Sequence, residues 1–242
     1  MSGTLYGLGV GPGDPELITL KTARILSAAK VVAYPAPDSG ESFARTIAAD
    51  HISPNAEEIS IVVPMRPDKF PHEVYARAAE RIAGHLRSGQ DVAVLCEGDP
   101  FFYGSFMYLY DLLVPEFSCV VVPGVSSLTA CAAAAGQPLA GRNSLLTVIP
   151  GPLDSETIAS QLRTCEAAAI MKVGRHFSRL YKIIEAEGLL PSAMYVERAT
   201  LGEESVLPLA EVPQDRAPYF SMILIDKGNR PNGPESNLHA KN

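Results

Sequence analysis

Short apolar runs alternate along the chain with longer stretches in which apolar residues recur every three or four positions. The short runs are rich in Val, Ile and Leu, as in strands that are buried on both faces. The longer stretches have the spacing of helices that bury one face. This alternation is typical of an α/β protein with a largely parallel sheet. Strands are predicted over residues 4–10, 30–35, 58–64, 91–98, 118–124, 144–150, 167–174, 193–199 and 218–226.

The clearest helical pattern covers residues 71–88. Val74 and Ile82 fall on its apolar face, Arg81 falls on the opposite face, and Gly89 is well placed to end the helix. The second half of the chain has the same helical spacing in three further stretches. They cover residues 126–136, 155–164 and 176–187.

Pro115 interrupts the segment LLVPEFS, residues 112–118, and a new strand pattern follows it at once. We therefore predict two α/β domains of similar size, with a cleft between them. The first is expected to cover residues 1–114 and the second residues 115–228. The polar end of the chain, residues 229–242, is rich in Gly, Pro and Asn and is expected to be a mobile tail.

Composition narrows the functional class only a little. The chain has 242 residues, 47% of them hydrophobic, and a net charge of −7, which argues against a nucleic-acid partner. The four cysteines lack the CxxC spacing of zinc and redox motifs, so reduced, buried thiols are expected and no metal site is predicted. Without a secretory signal or an uninterrupted apolar span, the protein is expected to be cytoplasmic and not bound to a membrane.

The first candidate for chemistry is the loop GVGPGDPELITLK, residues 9–21. A dinucleotide fingerprint counted from Gly7 or Gly9 would need a third glycine where Pro12 or Asp14 stands. No Gly-Lys-Ser or Gly-Lys-Thr follows, as a P-loop requires. Asp14 instead has the place of a helix N-cap, followed by proline, so its carboxylate would occupy the position that a phosphate needs.

Two further loops have related composition. LCEGDPFFYGS, residues 95–105, repeats Gly-Asp-Pro after another apolar strand, and VPGVSS, residues 122–127, brings two serines to a helix start. Ligands of parallel sheets gather at the carboxyl ends of strands, where all three loops are predicted to lie. Acidic and aromatic side chains there suit a ligand with hydroxyls, an amine or a cationic centre better than a phosphate.

These motifs in combination resemble the tetrapyrrole (corrin and porphyrin) methyltransferases. The resemblance is carried by GPGDPELITLK, by Gly-Asp-Pro followed by Tyr-Gly, by VPGVSS and by IMKVGR at residues 170–175. It implies two α/β domains, a homodimer, and S-adenosylmethionine bound in the cleft. The stretches LCEGDPFFYGSF, IMKVGR and YVERAT are most similar to members that methylate C20 of precorrin-2, or of its cobalt form, on the route to cobalamin.

The resemblance also implies which residues contact S-adenosylmethionine. Most of them lie in the three glycine-containing loops. Met171 matches an apolar residue that faces the adenosyl group, and Ala199 matches a position in the YVERAT stretch. The catalytic residues stay unassigned, and no metal-ligand constellation stands out in the sequence. The implied contacts are Pro12, Gly98, Asp99, Phe102, Ser126, Ser127, Met171 and Ala199.

Methyl transfer by in-line displacement relies mainly on alignment, so no nucleophilic side chain is required. Glu97 and Tyr103 are candidates by location for a general base. The carboxylates of the tetrapyrrole call for local positive charge in an acidic protein. Candidates on loops or strand ends are Arg45, Arg66, Lys69, Arg142, Lys172 and Arg175.

Three alternatives to C20 methylation stay open. The chain resembles sister methyltransferases that act at other ring carbons, and also diphthine synthase, which methylates a protein side chain. A nucleotide-binding module without methyl transfer is the alternative from another class.

Overall fold

A computed structural model describes residues 1–64, 71–213 and 217–228. Arg66, Lys69 and the expected tail at 229–242 lie outside these ranges. The chain divides into two compact units, Met1–Ser126 and Ser127–Asn242. Both units are mixed α/β, as the sequence predicts.

The first unit is built on a sheet of five parallel strands in the order β3-β2-β4-β1-β5. Its strands are rich in Val, Ile and Ala because both faces of the sheet are covered. The central strand β4 is buried at every residue. The strands are β1 Leu5–Gly9, β2 Val31–Ala36, β3 Glu57–Val62, β4 Val92–Cys96 and β5 Cys119–Val122.

Two apolar clusters cover this sheet. One contains Ile82 and Phe106, from the third and fourth helices, and the other contains Leu8, Leu26 and Ile47, from the first strand and the first two helices. Short 3-10 turns at Pro15–Leu17 and Ala49–His51 complete the unit. The helices are α1 Leu20–Ala28, α2 Phe43–Ile47, α3 His72–Arg87 and α4 Phe106–Leu113.

The first helix begins later than the sequence pattern suggests. Asp14 does cap a helical turn, but that turn is the 3-10 segment Pro15–Leu17, after which Ile18 is extended. Thr19 then caps α1 through its hydroxyl oxygen, which accepts the backbone N–H of Thr22. A second N-cap within a few residues therefore divides the helix predicted to begin after Asp14 into a 3-10 turn and α1.

The strand at Cys119–Val122, which the sequence pattern assigns to the second half, pairs with β1 in the first sheet. The division between the two units accordingly falls after Ser126 and not at Pro115. Pro115 lies in the turn of residues 114–116 that follows α4, and the chain returns to the same sheet before the second unit begins.

The second unit has a mixed sheet in the order β6-β7-β10-β8-β9. Only β6 and β7 are parallel; β10 runs antiparallel to both β7 and β8, and β9 is antiparallel to β8. The sequence pattern missed β9, a strand of four residues in which the first three are half-buried and Pro208 is exposed. The strands are β6 Leu146–Pro150, β7 Ala167–Met171, β8 Ala193–Glu197, β9 Ser205–Pro208 and β10 Ser221–Asp226.

Two amphipathic helices pack on this sheet through Ile158, Leu162, Leu180 and Ile184, which are fully buried. Further 3-10 turns lie at Gly174–His176, Leu190–Ser192 and Leu209–Glu211. Within the ranges that the structure describes, no helix is long and apolar enough to cross a membrane. The helices are α5 Ser127–Ala134, α6 Ser155–Thr164 and α7 Phe177–Ala186.

The four cysteines are free thiols. Cys96, Cys131 and Cys165 are buried, as expected, whereas Cys119 is only half-buried on the outermost strand of the first sheet. Burial raises the pKa of Cys96 to about 11 and that of Cys131 to about 12, so both thiols stay protonated at neutral pH.

Candidate functional site

Three loops of the first unit meet at one edge of its sheet. They follow β4, β1 and β5, which are neighbours in the sheet and run parallel, so their carboxyl ends lie side by side. These loops, residues 97–105, 10–14 and 123–126, form the three-loop platform. Five of the residues that the family resemblance implies as ligand contacts lie on it, namely Pro12, Gly98, Asp99, Phe102 and Ser126.

Backbone hydrogen bonds join the first two loops of the platform. Gly98 donates its N–H to the carbonyl oxygen of Gly11 at 2.8 Å, and Gly11 donates to Gly98 at 3.4 Å. Both glycines have positive φ, 83° for Gly11 and 63° for Gly98, which side chains disfavour. The two Gly-Asp-Pro loops are thus joined as a small antiparallel bridge.

The third loop packs directly against the same backbone. A Cβ atom on Gly124 would lie 2.0 Å from the carbonyl oxygen of Gly98, and one on Gly9 would lie 2.5 Å from the nitrogen of Gly124. Real Cβ atoms essentially never approach so closely. Glycine at these positions is therefore required by space alone.

Asp99 fixes the second loop to the third. One carboxylate oxygen accepts the backbone N–H of Phe101 at 2.9 Å, and the other accepts the N–H of Gly124 at 3.1 Å. Bonds of this charge-assisted kind are stronger than neutral ones. The carboxylate of Asp99 therefore holds the backbone of the platform in place.

The acid of the first loop has a local task. The Oδ1 atom of Asp14 accepts the backbone N–H of Glu16 at 2.8 Å, as the sequence pattern predicts for a cap. Thr22, fully buried, donates its hydroxyl to the carbonyl oxygen of Gly9 at 3.3 Å and so ties α1 to the end of β1. Pro12 is half-buried between these two anchored points.

Aromatic rings surround the Gly-Asp-Pro loop that follows β4. The rings of Phe102 and Tyr103 meet edge to face with centroids 5.1 Å apart. Tyr103 has a φ of 56°, and its side chain is exposed. Phe101 also packs edge to face, on Tyr110 of α4. The loop thus presents an apolar border beside the polar backbone of the platform.

Glu97 is a partly buried carboxyl immediately before Gly98. Burial raises its pKa, while a hydrogen bond from the backbone N–H of Ala44 acts in the opposite direction. Ala44 lies in the first turn of α2, so this carboxyl also connects β4 to that helix. A carboxylate with a raised pKa is a stronger base than an ordinary one and is better suited to accept a proton.

The expected contacts of the second unit gather at one edge of its sheet. Strands β7 and β8 are both antiparallel to β10, which lies between them, so their carboxyl ends point the same way. Met171 ends β7 and Ala199 follows β8, and both are buried. The two serines lie at the division of the chain: Ser126 ends the first unit and Ser127 begins α5.

Three residues at this second edge have left-handed backbone conformations without being glycine. Lys172 has a φ of 57°, Arg198 of 52° and Thr200 of 70°. Such residues cost conformational free energy and tend to occur at functional sites. Arg198 and Thr200 belong to the YVERAT stretch, yet sequence reasoning did not select either as a site residue, because φ is not visible in the sequence.

The basic residues that the sequence offers as carboxylate ligands differ in their surroundings. Arg45 is already engaged: its guanidinium donates two hydrogen bonds of 3.1 Å to the carboxylate of Glu58. The Arg45 guanidinium lowers the pKa of Glu58, whereas burial and Glu58 raise the pKa of Tyr34. Lys172 and Arg175 instead lie exposed at the second edge, and Arg142 is exposed on a loop before β6.

The sequence is similar to those of known methyltransferases. A family model described as Tetrapyrrole (Corrin/Porphyrin) Methylases matches residues 4–213. Cobalamin biosynthesis protein CobIJ of Mycobacterium tuberculosis is 42% identical over 237 residues, which is 94% of this chain and 47% of that protein. The chain therefore spans about half the length of this relative.

Two shorter relatives match along nearly their whole length. Precorrin-2 C(20)-methyltransferase of Sinorhizobium sp is 38% identical, covering 92% of this chain and 95% of that protein. Cobalt-precorrin-2 C(20)-methyltransferase of Salmonella typhimurium is 35% identical, covering 94% and 98%. Among solved structures, uroporphyrin-III C-methyltransferase from Thermus thermophilus, complexed with S-adenosylhomocysteine, has the same fold, with a TM-score of 0.66, 24% identity, and 93% and 98% coverage.

Proposed function

Because the chain belongs to the tetrapyrrole (corrin and porphyrin) methylases, we propose that it transfers a methyl group from S-adenosylmethionine to C20 of precorrin-2, or of its cobalt form, in cobalamin biosynthesis. The observation that carries the proposal is the 38% identity with a precorrin-2 C(20)-methyltransferase, over 92% of this chain and 95% of the relative. The relative with a cobalt-bearing substrate in its name is 35% identical, so both forms of the substrate are included.

The donor set of the platform fits S-adenosylmethionine better than a phosphate ligand. Asp14 keeps a carboxylate at the start of the 3-10 turn, where it would repel a phosphate. The platform offers carbonyl oxygens, hydroxyls and the carboxyl groups of Asp14, Glu97 and Asp99, which suit an amine, ribose hydroxyls and a sulfonium. The proposed contacts are Pro12, Gly98, Asp99, Phe102, Ser126, Ser127, Met171 and Ala199.

When bound, S-adenosylmethionine supplies an electrophilic methyl carbon. The protein's part is then to orient and to exclude water, for which effective molarities of about 10⁵ M or more are known in well-oriented systems. Asp99 contributes by fixing the second and third loops of the platform. Buried Met171 and Ala199 supply apolar surface.

Methylation at C20 also requires that a proton leave that carbon. Glu97 adjoins the platform at Gly98 and has a raised pKa, so it is our candidate to accept the proton. Full retention of the methyl-transfer rate in a Glu97→Gln variant would exclude this role.

The direct test is turnover with a labelled methyl donor. Protein is incubated with isotopically labelled S-adenosylmethionine and either precorrin-2 or cobalt-precorrin-2, and the product is examined by NMR. Label at C20 is the expected result, and the relative rates identify the natural form of the substrate. Label at another ring carbon would instead show a sister enzyme, whereas transfer only to a protein side chain would indicate diphthine synthase activity.

A nucleotide-binding module is tested separately by thermal shift. We expect S-adenosylhomocysteine to raise the melting temperature more than nucleoside triphosphates do. The reverse order would favour the module without methyl transfer. We further propose that the protein is a cytoplasmic homodimer. Light scattering of the purified protein measures its molar mass and so tests the dimer.

A further inference from the structure

The second unit contains a stretch without acidic residues that is rich in cations. Residues 167–184 include no Asp or Glu, although the chain has 27 of them among 242 residues. The same stretch forms β7, the 3-10 turn at Gly174–His176 and most of α7. Its ionisable nitrogen-containing side chains are those of Lys172, Arg175, His176, Arg179 and Lys182.

Two of these cations are exposed at the carboxyl end of β7, in the turn that follows the strand. Met171 and Val173 are buried on either side of Lys172, which is exposed. The left-handed conformation of Lys172 reverses the chain between these two anchors. Arg175 is exposed within the next turn, so Lys172 and Arg175 share the same end of β7.

Hydrogen bonds fix a third cation behind them. Arg179 donates from one guanidinium nitrogen to the carbonyl oxygen of Gly151 at 2.6 Å, and from another to the hydroxyl of Ser155 at 3.2 Å. Gly151 follows β6, the strand beside β7. The positive charge of Arg179 is therefore held at the same edge of the sheet.

The local field is positive at His176. Burial lowers its pKa, and the charges of Arg175 and Arg179 lower it further. The Nε atom of Arg175 lies 3.4 Å from Nε2 of His176. Among the residues that the structure describes, none forms an ion pair with Arg175, whereas Arg163 is paired with Glu156 and Glu187.

We propose that Lys172 and Arg175 bind carboxylate groups of the substrate, with Arg179 as a positioning residue that keeps the turn in place. A guanidinium binds a carboxylate in bidentate fashion, and an ammonium adds an adjustable point charge. The carboxylates and the identity of the substrate rest on the proposed function, whereas the two cations by themselves call for an anionic ligand. Left-handed Lys172 is retained because its side chain is needed there, despite the conformational cost.

Binding of uroporphyrin III, a stable polycarboxylate porphyrin, tests the subsite without turnover. Fluorescence titration of the full chain is expected to give about a fivefold to tenfold weaker Kd for Lys172→Gly and for Arg175→Ala, each removing one contact to a carboxylate. The affinity of the unaltered protein should fall with added salt, and less steeply in either variant. Lys172→Arg should retain binding within about twofold.

Two control variants separate charge, strain and location. Lys182→Ala removes the same charge from the same stretch but within α7, so the expected change in Kd is less than about twofold. Thr200→Gly relieves a left-handed residue at the same edge without removing charge, and should leave Kd unchanged. S-adenosylhomocysteine binding is measured for every variant to verify that the fold is intact.

The outcomes distinguish this proposal from the proposed function. Absence of uroporphyrin binding by the unaltered protein, or equal Kd values for Lys172→Gly, Arg175→Ala and Lys182→Ala, overturns the subsite. If C20 methylation occurs but its KM is the same in all variants, the function stands and the subsite fails. If no tetrapyrrole is methylated but Lys172→Gly and Arg175→Ala weaken binding, the subsite stands and the function fails.

Discussion

The two units turn the chain sharply at the carboxyl ends of their strands, but they do so with different residues. In the first unit the turns use Gly11 and Gly98, and backbone packs on backbone at Gly9 and Gly124; Tyr103 is the one left-handed residue of the three-loop platform that is not glycine. In the second unit Lys172, Arg198 and Thr200 adopt comparable left-handed conformations with their side chains retained. Space explains Gly9 and Gly124, where no Cβ fits, and positive φ explains Gly11 and Gly98.

The second case has no such steric explanation. A Gly at Lys172 or Thr200 would relieve strain, and for Lys172 the proposed contact with a substrate carboxylate accounts for keeping the side chain. We call the three-loop platform of the first unit the first edge, and the ends of β7 and β8 with the residues that follow them the second edge. The first edge therefore positions backbone groups, and the second positions side chains. Substitutions that add or remove a Cβ atom should act in opposite directions on the two edges.

Adding a Cβ to the first edge gives the largest expected effect. Gly124→Ala brings a methyl group to 2.0 Å from the carbonyl of Gly98, so we expect a loss of about 3 kcal/mol or more in unfolding free energy, measured with denaturant. S-adenosylhomocysteine binding should be lost as well.

Gly84→Ala is the matched control for this substitution. Gly84 lies inside α3 with open space where its Cβ would be, so alanine should stabilise the protein by about 0.5–1 kcal/mol. If Gly124→Ala and Gly84→Ala are equally stable, close packing does not explain the glycines of the first edge.

Removing the charge of Asp99, which joins two loops of the platform, should have an intermediate effect on stability. Asp99→Asn keeps one acceptor oxygen, so it can serve the N–H of Phe101 or that of Gly124 but not both. We expect a loss of about 1–3 kcal/mol in unfolding free energy and weaker binding of S-adenosylhomocysteine by calorimetry.

Asp14→Asn provides the comparison for Asp99→Asn. Asp14 caps a turn through one oxygen, and asparagine caps about as well as aspartate, so little change in stability is expected. Equal losses in the two variants would indicate that the second oxygen of Asp99 contributes nothing.

Removing a Cβ from the second edge should stabilise the protein slightly. Thr200→Gly relieves a β-branched residue at a φ of 70°, partly offset by the greater entropy of glycine in the unfolded chain. We expect a gain of about 0.5 kcal/mol in thermal or chemical unfolding. A marked loss would show that the side chain of Thr200 stabilises the turn and that the two edges differ less than we infer.

The smallest expected effect depends on pH. Burial raises the pKa of Glu97 above its ordinary value of 4.5, so its contribution to stability is complete below that value and is lost as pH rises through the folded-state pKa. Glu97→Gln should therefore become more stable relative to the unaltered protein as pH rises from 4.5 to neutrality. Unfolding at several pH values measures this slope.

Glu58 should show the opposite slope. Arg45 lowers its pKa, so its contribution is present above 4.5 and is lost as pH falls through the folded-state value. Glu58→Gln should accordingly be least stable, relative to the unaltered protein, at neutral pH. Slopes of the same sign for both variants would contradict the assigned environments.

Most elements of the fold could be predicted because their apolar spacing is regular. The helix at Ser155–Thr164 has the bounds that the sequence pattern predicts, and the other predicted strands and helices differ by a few residues at their ends. The cap at Asp14 was also predictable, since aspartate is favoured at the N-cap and proline at the first helical position. Local chemistry sufficed for these features.

Features that depend on distant residues were not predictable. The strand Cys119–Val122 belongs to the first unit because it pairs with β1. The direction of β10 is likewise set by its pairing with β7 and β8. The same holds for Asp99, whose second partner is distant in sequence at Gly124. Composition suggested ligand chemistry for Asp99, whereas its geometry adds a structural task.

The bridge between Gly11 and Gly98 has a consequence for the kinetics of ligand binding. Both amides are already hydrogen-bonded in the free protein, so the loops require no ordering when a ligand docks on them. Their amide protons should exchange slowly with deuterated water before any ligand is added, and ligand should protect them little further. Association at this edge should then be limited by encounter, and affinity should be governed by how quickly the ligand leaves.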